Sequence, residues 1–100
     1  MTITKTWNGN ELTLALEGRL DTITAPGLEA ELHRCLGDAD SLTLDFAKLA
    51  YISSAGLRVL LSAEQAMEEK GAEQVKVVNI NDTIRNIFDI TGFADILSIE

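Results

Sequence analysis

"LTLDFAKLAYISSAGLRVLLSA", residues 42–63, runs an alternating segment into a polar turn and then into a helical pattern. Leu42, Leu44 and Phe46 fall on one face at a spacing of two, which predicts a short strand. From Ala55 to Lys70 the period changes. Leu57, Leu60, Leu61 and Met67 recur at three- and four-residue spacing, while Arg58, Ser62, Gln65 and Glu69 form a polar stripe, and Gly71 closes the predicted helix. Between the two patterns stand Ser53, Ser54, Ala55 and Gly56. A serine in that place can cap the helix, act as a nucleophile or carry a modification. The strand–turn–helix unit also fixes the class of the domain, because strands joined through helices build a sheet with helices packed on it.

The flanking sequence extends that unit in both directions. Thr2, Thr4 and Thr6 alternate with Ile3, Lys5 and Trp7, and Asn8-Gly9-Asn10 reads as a hairpin turn, since Asn and Gly tolerate positive φ. Leu12, Leu14 and Leu16 then alternate with polar or small residues as a second strand with one buried face. "GRLDTITAPG" leads into a first helix, with Thr24 as its expected cap, Pro26 in its first turn, and Leu28, Leu32, Cys35 and Leu36 facing inward up to Gly37. After the second helix, "VKVVNI" (75–80) reads as an inner strand. Asn81 or Asp82 caps a third helix with Ile84, Ile87 and Phe88 inward and Gly92 at its end. "FADILSIE" reads as a terminal turn or strand. The expected fold is α/β in the order β-β-α-β-α-β-α: a mixed sheet, hairpin first and parallel strands after, over residues 1–100 as one domain. Functional turns in such folds lie at the carboxyl ends of the parallel strands, which is where Ser53 and Ser54 fall.

Composition narrows the function. One hundred residues suit a single core. Eight Lys and Arg against 16 Asp and Glu give a net charge of −8, which disfavours nucleic acid and anionic membrane surfaces and favours partners with a basic face. Cys35 is the one cysteine, so no internal disulfide forms, and a reducing cytoplasm is the expected compartment. "MTITKTWNGN" lacks the layout of a signal peptide, and no stretch reaches the roughly 18 apolar residues of a membrane span.

Catalysis finds little support. The single histidine, His33, follows the inward Leu32 and reads as an exposed helix residue, so no base is in view for Ser54. A serine elbow of the G-x-S-x-G kind is absent, as are metal-ligand spacing and a phosphate-binding glycine loop; the expectation is no enzyme, no metal and no cofactor. Cys35 reads as a small buried hydrophobe. Trp7 suits either a binding role or a cover for the sheet. For the serines, capping contributes about 1 kcal/mol and is common. It leaves room for a second role, because a phosphate in the first turn of a helix meets unpaired N–H groups and the positive end of the dipole.

The same residues carry a family resemblance. "LTLDFAKLAYISSAGLRVLLSA" resembles the signature of STAS domains, the module shared by anti-sigma factor antagonists and sulfate transporters. "LTLALEGRLDTITAPGLEAEL" (12–32) resembles the family's amino-terminal strand, Gly-x-Leu-Asp turn and first helix. "VKVVNINDTIRNIFDITGFADIL" (75–97) resembles its last strand and the helix with a Thr-Gly ending.

The resemblance implies an anti-sigma factor antagonist in a partner-switching circuit. The unphosphorylated form would bind an anti-sigma factor that is also a serine kinase, releasing the sigma factor. Phosphorylation of a serine would weaken the complex, and a serine phosphatase would restore it. In the family the signature reads Asp-Ser-Ser-Gly or Asp-Ser-Thr-Gly, with the serine two before the glycine modified. Counting back from Gly56 gives Ser54, with Ser53 the second choice, standing where the Asp would be. Ala55 replaces the second hydroxyl residue. The implied partner-binding set is Asp21, Thr22, Ser53, Ser54, Ala55, Gly56 and Arg58. The competing readings are a non-switching STAS subunit, for instance of a transporter ATPase, and a small-ligand or nucleotide-binding module.

Overall fold

A computed structural model describes all residues, Met1–Glu100. The chain folds as β1 (Thr2–Asn8), β2 (Glu11–Leu20), α1 (Ala25–Cys35), β3 (Ser41–Ile52), α2 (Ser54–Glu69), β4 (Lys76–Val78), α3 (Asp82–Thr91) and β5 (Ser98–Ile99), with short 3₁₀ turns at Leu36–Asp38 and Phe93–Asp95. The five strands lie in the order β1-β2-β3-β4-β5; β1 and β2 are antiparallel and the remaining pairs parallel. The α/β class and the hairpin-plus-parallel layout agree with the expectation. Of the two readings of the terminal "FADILSIE", turn or strand, the strand is realised at Ser98 and Ile99, which pair beside Lys76 and Val77 as a fifth strand after the expected order.

Three parallel crossovers step across the sheet in one direction. Right-handed crossovers of that kind deliver every helix to the same face. Burial follows suit. Leu12, Leu14 and Leu16 of β2, Leu42, Leu44 and Phe46 of β3, and Val77 of β4 are buried, whereas Thr13, Ala15, Thr43 and Asp45 on the opposite face are half-exposed. The buried strand residues merge with Leu28, Leu32 and Cys35 of α1, Leu57, Leu60 and Met67 of α2, and Ile84 and Phe88 of α3 in one core. Phe88 lies 6.4 Å from Phe46, ring centre to ring centre. No helix is long and apolar enough to cross a membrane.

Strand β3 is twice the length of the segment expected as strand. Two register irregularities explain why its second half is hidden from pattern reading. Ala15 pairs with Asp45 but Glu17 with Lys48, and Gly18 pairs with Leu49 but Arg19 with Tyr51. Each extra residue on β3 breaks the alternation, so the buried Phe46, Leu49 and Ile52 recur every three residues instead of every two. The carboxylate of Asp45 accepts from the Ala47 backbone N–H at 3.0 Å at the first irregularity. Strand β4 is shorter than expected because Asn79 turns the chain at φ 62°.

Polar side chains fasten the helices. Lys70 donates its ammonium to the carbonyls of Leu36, Gly37 and Ala39, closing the carboxyl end of the α1 segment from the far end of α2. The buried Glu64 carboxylate accepts from Val75 N–H at 2.8 Å and so orients the entry to β4. Glu31 on α1 pairs with Lys5 of β1 and with Arg34, and these two cations hold its carboxyl down at about 2. Cys35 is buried as expected, with Lys5 Nζ 3.6 Å from its Sγ. Trp7 is left 40 % exposed on the edge strand.

Candidate functional site

The carboxyl ends of β2, β3 and β4 each lead into a helix start, and the three turns are tied to one another. Ser53 N–H donates to Leu20 carbonyl at 2.9 Å, joining the β3–α2 turn to the end of β2. The Asn81 amide donates to Leu49 and Ala50 carbonyls at 3.2 and 3.4 Å, while its oxygen accepts from Ile84 N–H at 2.8 Å. Asn81 is therefore both the cap of α3 and the brace between that helix and β3. Sequence reading offered it as a cap alongside Asp82 but had no means of seeing the brace.

The two serines separate here. Ser53 occupies the capping position of α2 in an extended conformation (φ −99°, ψ 176°), and its hydroxyl accepts from Gly56 N–H at 3.5 Å, long for such a bond. Ser54 is the first residue of α2, exposed, and left out of the capping bond. One hydroxyl faces the helix and the other faces solvent.

Gly56 lies beneath them. It is buried, and a Cβ built on it would stand 2.7 Å from Leu20 Cγ and 2.8 Å from Ile52 Cγ1. Gly56, expected in the partner surface, is thus placed just under the serine turn. With no side chain and a buried backbone, it lets α2 begin directly against the ends of β2 and β3.

The β2–α1 turn is organised by Asp21. Its carboxylate accepts from Ile23 N–H at 3.0 Å and Thr24 N–H at 3.1 Å, and its own N–H donates to Thr24 Oγ1 at 2.9 Å. The Thr24 N–H, followed by the Ile23 N–H and the hydroxyl of Thr24, holds the Asp21 carboxyl below its ordinary value. Thr24 was the expected cap of α1. It does sit at the capping position, but with helical φ and ψ, and its hydroxyl donates back to Arg19 carbonyl at 2.7 Å instead of accepting from the helix. The first N–H of the helix goes to the Asp21 carbonyl, 2.8 Å away.

This turn displays Ile23 at 88 % exposure, the most exposed large apolar side chain in the protein. Sequence reading passed over it, although an isoleucine between two threonines in a polar turn, without apolar neighbours at strand or helix spacing, was a usable signal. Between the starts of α1 and α2 runs a shallow groove of about 270 Å³ lined by Thr22, Ala25, Pro26, Glu29, Ala55, Arg58 and Val59. Of the expected site residues, Thr22, Ala55 and Arg58 line this groove, and Asp21, Ser53 and Ser54 form the turns above it. Arg19 stacks over the Tyr51 ring at 4.8 Å on the neighbouring strand ends. His33 is exposed further along α1, in a groove with Ser62, Val59 and Ala66, and not at the serine turn.

Residues 2–100 match the STAS domain family. The chain is 27 % identical to the anti-sigma-B factor antagonist of Bacillus subtilis, over 92 % of this chain and 84 % of that one. It is 34 % identical to BtrV of Bordetella bronchiseptica, over 88 % of this chain and 76 % of that one. Among solved structures, the anti-sigma factor antagonist SpoIIAA in its unphosphorylated form superposes with a TM-score of 0.78 at 16 % identity, covering 99 % of this chain and 87 % of SpoIIAA, a likeness of fold.

Proposed function

Because the chain belongs to the STAS domain family, we propose that it acts as an anti-sigma factor antagonist, switched by phosphorylation of Ser54. The observation that carries this reading is the division of labour between two adjacent hydroxyls. Ser53 supports the start of α2, and Ser54 stands exposed on a helix start that is already tied to the sheet. The antagonist role of the Bacillus subtilis relative, matched over most of both chains, supports the same reading. The Bacillus protein SpoIIAA, which shares the fold, has been solved in a phosphorylated form.

In this reading the unmodified domain docks on an anti-sigma factor with serine kinase activity, through the β2–α1 turn, the start of α2 and the groove between them. Asp21, Thr22, Ser53, Ser54, Ala55 and Arg58 form the contact, and Ile23 adds an apolar anchor. The kinase passes the γ-phosphoryl group of ATP to Ser54 Oγ. The bond from phosphorus to the ADP oxygen breaks, and the hydroxyl proton leaves to a base of the kinase. The product carries roughly two added negative charges at the centre of the contact. They cost a great deal to desolvate in a contact formed around a neutral hydroxyl, so the complex loosens without the domain unfolding. A serine phosphatase reverses the step. The domain is ligand and substrate in this cycle, not catalyst, and the cycle runs in the cytoplasm.

Incubation with the cognate kinase and ATP is expected to add one phosphate, located by mass spectrometry at Ser54. Ser54→Ala is expected to bind and not switch, and Ser54→Asp to bind weakly with a melting temperature near wild type. A kinase that binds yet leaves both serines unmodified would sink the switch.

A further inference from the structure

The groove beside Ser54 contains a cation with no partner. Only two ion pairs exist in the protein, Lys5–Glu31 and Arg34–Glu31, and Arg58 is in neither. Arg19, the other arginine close to this end of the sheet, is already engaged over Tyr51. Arg58 is exposed and lines the groove between α1 and α2, where the one other charged residue is Glu29. It is also four residues after Ser54 on the same helix. At that spacing two side chains share a face with Cβ atoms roughly 5–6 Å apart, and an acid placed before a base is the favourable orientation.

We propose that Arg58 is the residue that reads the phosphate. Before modification its guanidinium stands free in the groove, available to a carboxylate of the partner. Once Ser54 carries phosphate, the guanidinium forms a two-pronged pair with it. The groove then loses its cation and keeps Glu29. Phosphorylation thereby acts twice at one place, adding negative charge and withdrawing the positive charge that the partner used. This rests on Ser54 as the acceptor, and it assigns the regulation of that site to a residue outside the acceptor turn.

The test uses full-length protein with phosphoserine installed at position 54 during translation, so that no kinase is needed. The second ionisation of the phosphate is followed by phosphorus NMR in the otherwise wild-type protein, in Arg58→Gln and in Arg58→Lys. A midpoint about 0.5 lower in wild type than in Arg58→Gln is expected, with Arg58→Lys between them, because a nearby cation favours the dianion. Equal midpoints in wild type and Arg58→Gln would overturn the pairing. The second readout is affinity for the anti-sigma partner with and without the phosphate. Arg58→Gln is expected to weaken the unmodified complex, and the loss on phosphorylation should be about tenfold smaller than in wild type. Equal losses in the two backgrounds would overturn the withdrawal of the cation. Neither kinase nor partner enters the titration, so failure of the pairing is distinguishable from failure of the antagonist reading.

Discussion

Replacing Gly56 by alanine tests how the start of α2 is seated. A methyl group there would lie 2.7 Å from Leu20 Cγ and 2.8 Å from Ile52 Cγ1, against the 3.5–4.0 Å of an ordinary carbon contact, so about 1 Å must be found on two sides at once. Both neighbours are at most 1 % exposed and locked in the core, so neither can swing clear. Overpacking of this kind costs about 1–3 kcal/mol. Alanine returns part of it, up to about 1 kcal/mol, through its better helix propensity. The net expectation is a loss of about 1–2 kcal/mol, which in a domain of this size lowers the melting temperature by roughly 4–16 °C. Gly27→Ala is the matched control. Gly27 is also in the first turn of a helix, a methyl there would meet nothing within 4 Å, and its φ is not positive. It should hold or raise stability by up to about 1 kcal/mol. Thermal unfolding of the two variants side by side decides the matter. If Gly56→Ala melts with Gly27→Ala, the helix start is looser than the packing requires, and the seating of Ser54 by Gly56 is refuted.

Acid unfolding should depend on Glu31. Its carboxyl is held at about 2, well below its ordinary 4.5, first by Lys5 and then by Arg34, so the stability it contributes is full above about pH 4.5 and is lost as pH falls towards 2. Glu31→Gln should flatten the stability profile in that window, and profiles that stay parallel would rule the ion pairs out as its cause. Ser53→Ala should cost about 0.5 kcal/mol, at the low end for a helix cap because the 3.5 Å bond is long, and Ser53→Asp should restore it by chemical denaturation. A loss above about 2 kcal/mol would mean a larger structural role than capping. Ile23→Ser should leave the melting temperature unchanged, as befits a side chain 88 % exposed, while weakening the anti-sigma complex about tenfold in calorimetry. Unchanged affinity would remove Ile23 from the contact.

Much of the fold was legible because local chemistry and tertiary packing agree. Alternation in Leu12–Leu16 and Leu42–Phe46 and the three-and-four spacing in α2 mean in isolation what they mean in the structure, and the caps of α2 and α3 fall within the pairs Ser53 or Ser54 and Asn81 or Asp82. Legibility failed where a neighbouring strand or turn sets the conformation. The second half of β3 follows β2 through two irregularities that erase its alternation, and β5 is a two-residue strand that exists only because β4 offers an edge. The hydroxyl of Thr24 had two competing sets of partners. The Asp21 turn took it from the helix: the hydroxyl donates to the Arg19 carbonyl and accepts from Asp21 N–H.

By itself, then, the sequence determined a hairpin followed by helix-linked strands, and a pair of serines at the end of one of those strands. Period, caps and turn residues are properties of near neighbours in the chain. The tertiary structure alone decided which serine is exposed, why a glycine must follow, and that Arg58 stands unpaired in a groove made by two helices. Those depend on how closely α2 approaches β2 and α1. Such distances arise from packing between segments far apart in the chain, and no local pattern encodes them.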